Sequence, residues 1–253
     1  LRLGKRLIMF MVTAFVLVAC SGTSTTEKMY EHLEEAVNLE SDFRDQQQPL
    51  VDLEQQEQEL YKQIIDLGSN DLDQIKELSN EAIGLIEQRK EKLEVEKESI
   101  EAAKEEFDQA EALVDDLEDE TVKEKAEKMV EAFNQRYEAY QSLYEAYDKS
   151  ITLDKELYEM LQKEDLKEEE LQSKIDEINK TYEQVKNAND EFNTHTEQYN
   201  QLKKEFYDAA EMNVEYGEES SDEEGSEEET NTDEAKEDNQ EETNTDETED
   251  NEQ

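Results

Sequence analysis

Apolar side chains recur every seventh residue through four successive stretches of this chain, and that period leaves it one economical way to fold. In the first stretch, from about Glu27 to Leu67, Met29, Ala36, Phe43, Leu50 and Ile64 form one row, broken only at Glu57. Leu39, Leu53, Leu60 and Leu67 form its companion, broken at Gln46. The second, from about Asp71 to Leu117, carries Leu72, Ile86, Leu93, Ile100, Phe107 and Val114, with Ser79 in the gap. Beside them run Ile75, Ala82, Ala103, Ala110 and Leu117, where Arg89 and Glu96 intrude. The third, from about Val122 to Leu161, sets Val130, Tyr137, Tyr144, Ile151 and Tyr158 beside Ala126, Phe133, Tyr140, Tyr147 and Leu161. The fourth, from about Leu166 to Met212, has Leu171, Ile178, Val185, Phe192, Tyr199 and Phe206; its companion row starts with Ile175 and Tyr182 and turns polar at Asn189 and Thr196.

Two rows three or four residues apart form one helical seam, and a seam on an otherwise polar helix must be buried against partners. One proline, six glycines and no tryptophan in 253 residues leave long helices largely uninterrupted. At ~1.5 Å per residue each stretch is ~60–70 Å long. Short joints make successive helices antiparallel. The expectation for residues 27–213 is therefore an all-α fold, a long up-and-down antiparallel four-helix bundle of coiled-coil type. An extended coiled coil of two helical hairpins is the runner-up. Pro49 removes one backbone donor; because the seam keeps its phase, Gln46-Gln47-Gln48-Pro49 is read as a kink. Gly68-Ser69-Asn70 ends the first helix, and Thr121/Glu124 and Asp165/Glu168 have capping-box spacing.

The ends of the chain follow other rules. Arg2, Lys5 and Arg6 precede a run of thirteen residues, Leu7 to Ala19, apolar except for Thr13. That suits a signal peptide over 1–19 and falls short of the ~20 residues that span a bilayer. The run closes on Leu17-Val18-Ala19-Cys20, and Cys20 is the chain's one cysteine. This resembles the lipobox of bacterial lipoproteins. The resemblance implies cleavage between Ala19 and Cys20 and a diacylglyceryl thioether on Cys20. Residues 20–26 then form a short tether. From Glu215 to Gln253 there are twenty Asp/Glu against one Lys, and a thirteen-residue unit repeats from Glu228 and again from Glu241. Such a segment cannot bury enough apolar surface to offset ordering entropy, so 214–253 is read as a disordered acidic tail.

A formal charge of −48 excludes direct nucleic-acid binding and disfavours attraction to anionic lipid or anionic wall polymers. There is no Gly-rich phosphate loop, no nucleophile elbow and no Glu-x-x-His pair: Met29 lies three before His32, and Phe192 three before His195. No enzymatic role, cofactor or small-molecule substrate is expected, beyond weak divalent-cation binding by acidic clusters such as Asp115-Asp116 and Glu168-Glu169-Glu170. Tyr137, Tyr140, Tyr144 and Tyr147 could stack on sugars, but their spacing is that of the seam, so core packing with hydroxyls at the rim is the expectation.

Taken together, the lipobox, the Glu/Lys/Gln-rich helical body with Tyr-rich helices and the acidic tail resemble a Gram-positive lipoprotein family named for cell-wall binding, the YkyA-like proteins. The resemblance implies an up-and-down helical bundle, and Cys20 is the one functional residue it carries over. The function expected is a membrane-anchored, non-catalytic module between membrane and wall that binds peptidoglycan or an envelope protein. A passive acidic spacer and a chaperone-like secretion accessory are the alternatives. An even number of helices returns the chain to its starting end. That makes the joints at Gly68, Ser69 and Asn70 and at Glu164 and Asp165 the distal turns, where contact with a partner is expected.

Overall fold

The computed structural model describes residues 24–67, 71–212 and 214. Cys20, Ala19, the tether up to Gly22-Thr23, the turn Gly68-Ser69-Asn70 and the acidic tail lie outside the described residues. The helices are α1 (Thr25–Leu39), α2 (Ser41–Leu67), α3 (Leu72–Glu111), α4 (Glu120–Leu161) and α5 (Glu168–Ala209). With α1 and α2 forming one leg, they make an antiparallel, up-and-down four-helix bundle. The α1–α2 leg packs on α3, α3 on α4, and α4 on α5. None of the described helices is long and apolar enough to cross a membrane.

The seam fills the bundle as two main clusters. Met29, Leu33, Phe107, Val122, Phe133 and Phe206 belong to one, with Met212 and Val214 packed against it. Ile64, Ile75, Ile86, Ile151 and Tyr158 belong to the other. The start of α1, the α3–α4 connection and the end of α5 therefore share one end, as helix parity requires. The α2–α3 and α4–α5 connections share the opposite end. Glu164 and Asp165 are exposed there.

Two capping expectations are corrected, and the first leg breaks where no break was expected. It runs helically through Pro49, which sits inside α2, and breaks instead at Glu40, nine residues earlier. The cause lies on another helix. The Phe43 N–H donates to Ser99 Oγ (3.1 Å), and Ser99 in turn donates to the Leu39 carbonyl (2.6 Å). These are the two backbone groups an unbroken helix would pair, so the α3 hydroxyl is inserted into the ladder. At α4 the cap is Asp119, accepting from the Thr121 and Val122 N–H groups, rather than Thr121. At α5 Lys167 precedes the first turn and makes no side-chain cap, so Asp165 is not a capping residue. The Ser24–Glu27 pair at the start of α1 does form a reciprocal capping box.

The second long helix also stops early, at Glu111, and a 3-10 turn follows at Val114–Asp116. Carboxylates at Asp115, Asp116, Glu118, Asp119 and Glu120 oppose the negative end of α3 and favour the positive end of α4. Val114 and Leu117 stay buried across this change, each 8% exposed.

Candidate functional site: buried polar layers and a tyrosine groove

The residues that interrupt the heptad rows meet one another inside the bundle. Arg89, 1% exposed, donates to Glu57 (2.6 Å), Asp154 (3.1 Å) and Glu54 (3.2 Å), and Tyr147 lies at its Nε (3.4 Å). The Tyr147 hydroxyl also donates to Glu54. Tyr182, 38% exposed, reaches in from α5 with its hydroxyl donating to Asp154 (2.6 Å). All four legs contribute to this layer. Three carboxylates face one guanidinium, and burial decides the outcome: Glu57 is pushed up to about 7, desolvation outweighing the pull of Arg89. Asp154 is raised for the same reason. Burial works against the charge on Arg89, but the acidic groups and phenols around it hold its pKa above the ordinary arginine range.

A second layer closes the α1–α2 joint. Arg136, 5% exposed, grips Glu40 with both nitrogens (2.6 and 2.9 Å), donates to Thr196 (3.0 Å) and lies over the Phe192 ring at 5.0 Å. Between the two layers Glu96 is buried with the Gln47 amide donating to it. Desolvation, with the Glu54 charge adding to it, pushes Glu96 up to about 8. These layers fix how the legs align; they hold no nucleophile beside a base. Among the described residues no His/Cys/Asp/Glu group has the arrangement of a metal site. His32 pairs with Glu106 (2.6 Å), and Ser79 is buried with its hydroxyl unpartnered.

The tyrosine stripe of α4 divides. Tyr140 (2% exposed) and Tyr147 (9%) are core residues, as the spacing predicts. Tyr137 and Tyr144 are half-buried. With Tyr140, Lys97, Glu101 and Gln141 they line a groove of about 240 Å³ between α3 and α4. Tyr144 donates to Glu94 (2.9 Å) and carries Lys97 (4.7 Å) and Lys90 (5.8 Å) over its ring; Lys104 lies 5.8 Å from Tyr137. Tyr140, which lines the groove, keeps a buried hydroxyl with no hydrogen-bond partner among the described residues. Heptad reasoning placed the tyrosines on the seam. It missed the groove because α4 buries two faces, through residues such as Met129, Ala132, Arg136 and Ala139, which rotates Tyr137 and Tyr144 to the margin.

Comparison with known proteins gives three agreements. One relative, an uncharacterized lipoprotein YkyA of Bacillus subtilis (strain 168), is 32% identical over 95 residues, 38% of this chain and 43% of the relative. The aligned stretch thus spans less than half of that relative's length. A 1.6 Å crystal structure of a conserved Staphylococcus aureus protein of unknown function has the same fold, with a TM-score of 0.64 and 15% identity. It covers 74% of this chain and 98% of its own. A family model matches residues 24–209, the length of the helical body, and so the chain belongs to the YkyA family, described as "Putative cell-wall binding lipoprotein".

Proposed function

We propose that this chain is a lipoprotein held by a thioether-linked lipid on Cys20 to the outer face of the cytoplasmic membrane. Its helical body then acts as a non-catalytic module that binds the cell wall or an envelope protein. The observation that carries this reading is the family match, which follows the helical body rather than the signal segment. The lipobox before Cys20 supports the anchor. A half-buried aromatic groove on a bundle supports binding over a purely passive spacer. The charge of −48 sets the kind of partner: peptidoglycan or protein, or an anionic wall polymer only through bridging divalent cations.

Two measurements test it. Radioactive palmitate labels the native chain, and Cys20→Ser abolishes the label; labelling that persists in the variant refutes the anchor. Purified walls sediment the protein. Binding that survives a chelator, yet disappears when teichoic acid is stripped, refutes the partner assignment.

A further inference from the structure

We propose that the α3–α4 groove is a saccharide site, taking a short run of neutral N-acetylated sugars from a wall glycan through Tyr137, Tyr140 and Tyr144. This rests on the wall-binding reading and names its ligand. Four observations carry it. Tyr137 and Tyr144 stand half-buried at the groove, their rings covered by partly exposed lysines rather than by the core. They are two helical turns apart, roughly 10 Å at 1.5 Å per residue. Every second ring of a β-linked glycan, which presents the same face again, recurs at a similar interval. Tyr140 lines the same groove, and its hydroxyl is buried with no hydrogen-bond partner among the described residues. Buried polar groups are nearly always bonded, and a sugar hydroxyl or acetamido oxygen supplies the missing partner. Glu101 and Gln141 add side chains able to accept from, or donate to, ring hydroxyls.

Charge selects a neutral ligand. The strongly acidic chain repels anions. Lys90, Lys97 and Lys104 already occupy positions over the two outer rings, so a cationic ligand meets like charge there. Lys97 is held by the Tyr144 ring, by a 3.8 Å pair with Glu101 and by the charge of Glu94; the Lys97–Glu101 pair is partly exposed and weak enough for the lysine to swing aside for a stacking sugar.

The test titrates the full chain, in a sugar-free detergent, with the tetramer of N-acetylglucosamine. In parallel it sediments the chain with peptidoglycan stripped of teichoic acid. The native chain binds both, and the soluble tetramer competes with the peptidoglycan. Tyr137→Ala and Tyr144→Ala each weaken binding about tenfold. Tyr140→Phe weakens it about fivefold, and thermal stability does not fall, because the lost hydroxyl had no internal bond. Variants that bind both probes like the native chain overturn the groove and leave wall binding standing. A folded native chain that binds stripped peptidoglycan but not the tetramer also overturns the groove. Binding to neither probe overturns the groove and, with it, peptidoglycan as the partner.

Discussion

Replacing Glu96 by glutamine separates the electrostatics of the core from those of the surface. Glu96 is 5% exposed; among the described residues its one hydrogen-bond donor is the neutral Gln47 amide and no cation pairs with it. Burial raises it from 4.5 to about 8. A carboxyl raised on folding keeps its proton in the native state while the unfolded chain has lost it. Stability therefore falls as pH rises from about 4.5 and levels off above about 8. At about 1.4 kcal/mol per pH unit, the full span corresponds to about 4–5 kcal/mol. Glutamine matches the protonated acid in shape and never ionises. The variant should equal the native chain within about 1 kcal/mol near pH 5 and exceed it by about 4 kcal/mol near pH 9. Urea unfolding followed by far-ultraviolet circular dichroism, at fixed high salt to screen the acidic surface, measures both. Glu57, raised to about 7, tilts both proteins in the same direction and cancels in the difference. Parallel stability curves for the two proteins across this range would show that Glu96 ionises without hindrance and would refute the reasoning.

The Arg89 layer predicts an asymmetry. Arg89→Met leaves its carboxylates without a cation and should cost about 3–5 kcal/mol, whereas joint replacement of Glu57, Arg89 and Asp154 by apolar residues should be near neutral or stabilising in the same urea assay. Ser99→Ala removes the inserted hydroxyl; the loss should be about 1–3 kcal/mol, with amide hydrogen exchange at Phe43 speeding up more than at neighbouring turns.

The heptad rows carried the architecture because burial of a continuous seam is a local, periodic property. Leg number, direction and the shared end of Met29 and Phe206 all follow from it. The same rows held the polar layers in plain view as exceptions. Glu57, Arg89 and Glu96 interrupt the pattern, and Asp154 occupies a place on the α4 row between Tyr147 and Leu161. Which exception meets which depends on the axial alignment of four helices, and no single row states that alignment. Caps were legible only in part. Ser24, read as part of the tether, caps α1 reciprocally with Glu27, while Thr121 and Glu124 have the spacing and yield to Asp119. The groove was hidden for a different reason: Tyr137 and Tyr140 differ by three residues in sequence, and only the second contact face of α4 determines which one sinks.

The hydroxyl of Ser99 makes the shape of the first leg a property of its neighbour. Within the first leg the Arg44 guanidinium bonds the Val37 carbonyl beside the joint, but the group that takes up both the Phe43 N–H and the Leu39 carbonyl is the α3 hydroxyl. The joint in this form needs α3 in place, with Arg136 of α4 gripping Glu40 beside it, so its hydrogen bonds register that distant parts of the chain have found their correct alignment.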